Sequence, residues 1–87
     1  MIGLGGFNLS PTIYREGNRR YFFFSREEPR IHVHVSSPEG EAKFWLEPTV
    51  ALADYAGFNS KDLIEIQKTV EDHADDFKRR WQEYFGN

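Results

Sequence analysis

One segment in the middle of the chain alternates strictly between two kinds of side chain. In Ile31–Ser36 every second residue is aliphatic, and His32, His34 and Ser36 occupy the positions between. Because successive side chains of a β-strand point to opposite faces of the sheet, this period of two predicts a strand with one buried and one polar face. The segment therefore predicts a sheet that another element covers on one side.

The last third of the chain predicts that covering element. Apolar residues within Leu63–Tyr84 recur at steps of three or four positions, which places them along one stripe of a helix. Asn59 is the predicted N-cap, and Asp62 three positions later gives the pattern of a capping box. These signals predict one long C-terminal helix over Ser60–Phe85. Its far end either overhangs the sheet and meets a partner or completes the core of the monomer.

The remaining strands are marked by their turns. Glu16-Gly17-Asn18 is rich in turn formers and predicts a hairpin, and Pro48 ends the last strand because it cannot donate a ladder hydrogen bond. Four segments are predicted as strands, at residues 12–16, 19–25, 31–36 and 41–47. Residues 49–52 are either a further short strand or an extended lead into the helix. The predicted fold class is α+β, an antiparallel meander of about four short strands packed on one long C-terminal helix.

Length and composition limit the domain organisation and the chemistry. We expect a single domain over residues 11–87 and a flexible, Gly-rich arm over residues 1–10. The absence of cysteine excludes disulfides, thiolate metal sites and cysteine nucleophiles. The net charge of −3 disfavours electrostatic wrapping of nucleic acid, and no apolar run is long enough to span a membrane. We expect a cytoplasmic protein without a cofactor.

Sorting the strands by period two predicts two faces of the sheet. The aliphatic set of the alternating strand belongs under the helix, and matching across the strands adds Ile13, Phe22 and Phe24 to that side. The opposite face collects aromatic rings, imidazoles and a cation, and its predicted members are Tyr14, Tyr21, Phe23, His32, His34, Lys43, Trp45 and Glu47. Exposed rings of this kind mark interaction sites. We predict a binding surface there, with Arg30 at its edge.

The two histidines on that face have three interpretations. They are polar outward residues of a half-exposed strand or part of an oligomer interface. They are alternatively an acid–base pair, with His32 and His34 exchanging protons and Lys43 or Arg30 holding a phosphate, as a metal-independent ribonuclease requires. They are also weak candidates for metal ligands, which would need a third ligand such as Glu47 or Asp54; no metal site is predicted outright.

Several segments together resemble the domain-of-unknown-function 4160 family of small prokaryotic proteins. The similar segments include Pro11-Thr12-Ile13, Pro29–Val35, Gly40–Pro48 and Trp81–Phe85. The resemblance covers roughly residues 11–86. Its Pro-x-x-His-x-His segment corresponds to Pro29, His32 and His34, so it singles out the same histidine pair.

What the resemblance implies is a small cytoplasmic prokaryotic protein, encoded beside another small protein in the manner of candidate toxin–antitoxin pairs. It implies no established activity. We therefore expect a non-enzymatic protein-interaction module whose partner is the product of a neighbouring gene or a second copy of the chain. RNA is a second candidate partner, and no membrane association is expected. The alternative function is the small ribonuclease-like toxin that uses the His-x-His pair.

Overall fold

The computed structural model describes residues 11–24 and 29–86. The predicted N-terminal arm, residues 1–10, lies outside the described residues. Five strands precede two helices, and the chain has the predicted α+β class. The strands are β1 (Thr12–Glu16), β2 (Arg19–Phe22), β3 (His32–Ser37), β4 (Gly40–Trp45) and β5 (Ala51–Ala56); the helices are α1 (Ser60–Asp72) and α2 (Ala74–Phe85).

The strands form one antiparallel sheet in the order of the sequence, β1-β2-β3-β4-β5. This is the predicted meander with a fifth strand. A further strand was one of two expectations for residues 49–52, and β5 begins within that region and continues to Ala56. The helices pack on one side of the sheet, which we call the inner face, and we call the other side the outer face. Val33 and Val35 of β3 and Phe44 of β4 are fully buried on the inner face, as their alternation predicts.

The start of α1 confirms the predicted cap. The backbone N–H of Asp62 donates to Oδ1 of Asn59 at 2.8 Å, and the backbone N–H of Asn59 donates to Oδ2 of Asp62 at 3.4 Å. This reciprocal pair satisfies two N–H groups that the first turn of a helix leaves without intrahelical partners.

The prediction of one long helix is wrong, because the helix breaks at His73. The backbone N–H of His73 reaches both Thr69 O at 3.1 Å and Val70 O at 3.2 Å, and its φ and ψ of −110° and 8° are not helical. The imidazole Nδ1 lies 2.9 Å from Thr69 O, and the ring packs against Tyr14 with centroids 4.2 Å apart. The His73 side chain therefore packs the helix break against the first hairpin.

The end of α2 completes the monomer core and does not overhang the sheet. Phe77 is fully buried and Trp81 is 6% exposed. Phe23 of the sheet contacts the rings of both Trp81 and Phe85, with centroids 5.3 and 5.9 Å apart. Of the two interpretations of the helix end, the structure therefore supports the core.

The first hairpin corrects the predicted faces. Tyr21 and Phe23 are fully buried on the inner face, whereas Phe22 is half-buried on the outer face and Phe24 is 45% exposed. The pairing of β2 with β3 sets these faces, because Tyr21 lies opposite Val35 and Phe22 lies opposite His34. On the other side of β2 there is a bulge at Ile13, since Thr12 pairs with Phe22 but Tyr14 pairs with Tyr21.

The bulge changes what the position of Ile13 implies. Ile13 and Tyr14 both reach the helix side, so an inward-facing Ile13 does not bring Phe22 inward. Tyr14, Tyr21 and Phe23 therefore do not belong to the outer face, contrary to the prediction.

Polar contacts fix α1 against the edge of the sheet. Arg19 Nη2 lies 3.2 Å from carboxylate oxygens of both Asp62 and Glu65, and the Thr69 hydroxyl donates to Glu16 at 3.0 Å. Arg19 thus links the sheet to Asp62, which also forms half of the capping box of α1. In the described part of the chain, neither helix has the length and apolarity that a membrane span requires.

Candidate binding surface

The outer face of the central strands carries a mixed group of rings and cations. We call this group the outer surface, and its residues are Arg20, Phe22, Phe24, Arg30, His34, Lys43 and Trp45. Strand pairing places Phe22 beside His34, His34 beside Lys43, and Lys43 beside Asp54, in one row across four strands. Directly opposite residues of antiparallel strands point to the same face, so this row is continuous.

His34 lies between two phenylalanines. Its ring stacks on Phe22 with centroids 5.4 Å apart and an interplanar angle of 21°, and Phe24 meets it edge-on at 5.7 Å. We call the stacked rings of Phe22, His34 and Phe24 the ladder. The guanidinium of Arg20 lies over the Phe22 ring, 4.3 Å from its centroid. The ladder is therefore held in one conformation by its own contacts, which reduces the entropy that a partner must remove on binding.

Trp45 is covered by two cations. The Arg30 guanidinium lies 4.1 Å from its ring centroid, and Lys43 Nζ lies 4.7 Å away. Arg30 Nε and Nη2 also donate to Glu47 O at 3.2 and 3.0 Å, so the guanidinium is oriented over the indole. Cation–π contacts at exposed sites contribute about 0.5–1 kcal/mol each. The outer face thus holds cations over its aromatic rings, with the carboxylates of Glu41 and Asp54 toward β5.

The histidine pair is divided between two environments. His32 is fully buried, and its Nδ1 lies 2.7 Å from Arg30 O. Its ring contacts Trp81 at 5.1 Å and Trp45 at 5.9 Å, so it fills the space between the end of α2 and the outer surface. His34 is half-buried and touches His32 at 5.1 Å. Only His34 therefore presents an imidazole toward solvent.

A shallow depression adjoins the ladder. It has a volume of about 430 Å³ and opens to solvent between β3 and the edge strand β5. Its lining residues are His34, Glu41, Ala42, Lys43, Asp54, Tyr55 and Ala56. Lys43 lies opposite Asp54 across the strands, so this end of the outer face carries charges of both signs.

The structure brings together some predicted site residues and separates others. His34, Lys43, Arg30 and Trp45 lie together on the outer face, and His32 lies beneath them. Glu47 is exposed, and its backbone carbonyl accepts from Arg30. Three outer-surface residues were missed in the sequence, namely Arg20, Phe22 and Phe24. The signal that would have found Phe22 and Phe24 is the pairing of Phe22 with His34, but nothing in the residues of β2 fixes that register.

Metal binding finds no further support in the described segments. Residues 11–24 and 29–86 contain no group of three or more His, Cys, Asp or Glu side chains placed to hold an ion.

The fold and its surface define the chain as a small α+β sheet-and-helix domain with an aromatic, cationic outer surface. A family profile described as a domain of unknown function (DUF4160) matches residues 17–82, and the chain belongs to this family. The match includes β2 to β5, α1 and most of α2, and with them every residue of the outer surface. No curated protein and no solved structure gives a significant match.

Proposed function

We propose that this chain is a non-enzymatic protein-interaction module that binds its partner through the outer surface. The observation that supports this most is the position of Phe24. Its ring is 45% exposed at the end of a rigid ladder, on a face that neither helix covers. Exposed aromatic rings that contact their neighbours and have arginines nearby are typical of residues that dominate binding energy.

The charges indicate the kind of protein surface that fits. Arg20, Arg30 and Lys43 each lie over an aromatic ring, so a partner carboxylate that meets them also meets the ring edges. We propose a partner with an acidic and apolar patch, encoded by a neighbouring gene, with the two proteins acting in the cytoplasm as a toxin–antitoxin-like pair. Charged contacts of this type raise the association rate and weaken with salt.

The ribonuclease alternative needs two imidazoles that reach one substrate. His32 is fully buried and its Nδ1 already faces a backbone carbonyl, so its protons do not reach a bound phosphodiester without opening the fold. The geometry therefore favours binding over catalysis.

The test uses one surface variant and one matched control. Phe24→Ser removes the exposed ring of the ladder, whereas Ile64→Ser removes an apolar side chain that is 70% exposed on α1. The protein and the product of its neighbouring gene are co-expressed, and their affinity is measured by calorimetry. We expect Phe24→Ser to weaken binding at least about tenfold, equivalent to about 1.4 kcal/mol, and Ile64→Ser to leave it unchanged.

Two results would contradict the proposal. Equal affinities of the two variants would place the interface elsewhere. Cleavage of RNA by the purified chain, abolished by His34→Ala, would show that it acts as an enzyme.

A further inference from the structure

The side chain of Arg30 on the outer surface is oriented by two contacts with its own chain. Its Nε and Nη2 both donate to the backbone carbonyl of Glu47, at 3.2 and 3.0 Å. The guanidinium also lies over the indole of Trp45, 4.1 Å from the ring centroid. One edge of the guanidinium is therefore held by a carbonyl oxygen, and one of its faces is held by a ring.

The second edge of the same guanidinium has a different situation. It carries one N–H of Nη1 and one N–H of Nη2, which point in parallel. Within residues 11–24 and 29–86, this edge of Arg30 makes no hydrogen bond or ion pair. Arg30 is an exposed residue, so a partner can reach the edge. Two parallel N–H groups match the two oxygens of a carboxylate, which gives a bidentate pair.

The backbone that carries Arg30 is also held in place. Its carbonyl accepts from Nδ1 of the fully buried His32 at 2.7 Å, and the next carbonyl, Ile31 O, accepts from the backbone N–H of Leu46 at 3.0 Å. An ordinary surface arginine contributes little to an ion pair, because the long side chain must first be ordered. Arg30 is ordered before a partner arrives, so it loses less conformational entropy on binding.

The other two cations over rings are placed differently. Arg20 directs its Nε to the hydroxyl of Thr12 at the edge strand β1, and Lys43 lies opposite Asp54 of β5. A lysine ammonium is in addition a point charge without parallel donors. Arg30 thus combines a guanidinium held against a ring with an end edge that no described residue uses.

We propose that Arg30 determines the specificity of the outer surface by binding one carboxylate of the partner protein through its Nη1 and Nη2 edge. This inference rests on the proposed function of the outer surface as a protein-binding site. The ligand is an Asp or Glu side chain that lies beside an apolar residue of the partner. When that apolar residue covers Trp45, it excludes water from the ion pair and strengthens it.

The charges of the outer face favour a single carboxylate over a nucleic acid. Glu41 and Asp54 lie toward β5 on the same face, so a strand of phosphates that crosses the sheet meets both of them. Glu41 is four positions along β4 from Trp45, and a single carboxylate at Arg30 does not have to approach it.

The first experiment removes the parallel donors and keeps the charge. Calorimetry measures the affinity of the full chain for the product of the neighbouring gene, and urea titration verifies that each variant is as stable as wild type. Arg30→Lys is expected to weaken binding at least about tenfold, because an ammonium cannot form the bidentate pair. Arg79→Lys, the same change at an exposed position of α2, is expected to leave the affinity unchanged.

The outcomes separate this inference from the proposed function. An unchanged affinity in Arg30→Lys, together with weaker binding by Phe24→Ser, would overturn the role of Arg30 and support the outer surface as the interface. Weaker binding by Arg30→Lys alone would support the Arg30 site and contradict the proposed role of the ladder.

A double-mutant cycle tests the carboxylate directly. Each exposed Asp or Glu of the partner is changed to Asn or Gln, and each variant is measured against wild type and Arg30→Lys. Groups in contact give non-additive losses, whereas distant groups give losses that add. At one partner carboxylate, the loss is expected to be at least about fivefold smaller against Arg30→Lys than against wild type. Additive losses at every partner carboxylate would overturn the proposal. So would Arg30→Lys weakening the binding of a single-stranded RNA oligonucleotide while the affinity for the protein stays unchanged, because the edge would then bind phosphate.

Discussion

A single buried hydroxyl gives the clearest test of the packing. Tyr21 is fully buried on the inner face, and its hydroxyl has no hydrogen-bond partner among the described residues. A buried polar group without a partner costs about 1–3 kcal/mol, whereas the void that one missing oxygen leaves costs only about a few tenths of that amount. Tyr21→Phe is therefore expected to raise the free energy of unfolding by about 1 kcal/mol, or Tm by about 4–8 °C in a domain of this size.

The pH dependence of the same variant supplies a second readout. Burial raises the pKa of Tyr21 above its usual value of 10.0, and the neighbouring Thr69 hydroxyl opposes this in part while itself donating to Glu16 at 3.0 Å. Above about pH 10 the unfolded chain loses the Tyr21 proton before the folded chain does, so wild-type stability falls as pH rises. Tyr21→Phe lacks the ionisable hydroxyl, so the difference in free energy of unfolding between the variant and wild type is expected to increase as the pH rises above about 10.

Urea unfolding at pH 7 and at alkaline pH measures both effects. Tyr84→Phe is the control, because that side chain is 52% exposed and its hydroxyl meets water. It should leave stability unchanged at pH 7. A Tyr21→Phe protein that is less stable than wild type by about 1 kcal/mol or more would refute the reasoning, because it would show that the hydroxyl is hydrogen-bonded in the folded state.

Two further substitutions test local structure. Asn59→Ala removes half of the capping box and is expected to lower the free energy of unfolding by about 1 kcal/mol in urea titration; an unchanged midpoint would mean that the cap contributes nothing. Gly40→Ala would place a Cβ 2.3 Å from Ala56 O, so β4 and β5 would have to separate, and a loss of about 1–3 kcal/mol is expected in the same assay. Wild-type stability in Gly40→Ala would show that the two strands separate at no cost.

The inner face of the middle strands could be predicted because its residues alternate. Val33 and Val35 are separated by polar side chains, so period two has one solution, and β4 follows the same rule. Tyr21-Phe22-Phe23-Phe24 has no alternation, so either pair could face the helices. The register of β2 on β3, which sets Tyr21 opposite Val35, decides the choice, and the residues of β2 alone do not encode that register.

The break between α1 and α2 could not be predicted from the sequence for a related reason. The apolar stripe continues through His73 with unbroken spacing, so periodicity predicts one helix. At the break, the His73 ring contacts Tyr14, a residue of the first strand. Long-range contacts of this kind override local propensity, and the sequence pattern contains no record of them.

The histidine pair shows how one strand serves both the core and the surface. His32 lies where α2 ends, so Trp81 reaches past the inner face and encloses it, and its Nδ1 faces the carbonyl of Arg30. That contact holds the backbone from which the Arg30 side chain covers Trp45. His32 is thus a positioning residue for the outer surface, whereas His34 belongs to the surface itself.

The two substitutions should therefore separate stability from binding. His32→Ala empties a fully buried site between two tryptophans and is expected to lower the free energy of unfolding by about 2–4 kcal/mol, together with a change in tryptophan fluorescence. His34→Ala, on the half-buried side of the strand, is expected to cost less than about 1 kcal/mol and to weaken partner binding instead. Equal stability losses in the two variants would contradict this division, because they would show that both imidazoles contribute alike to the core.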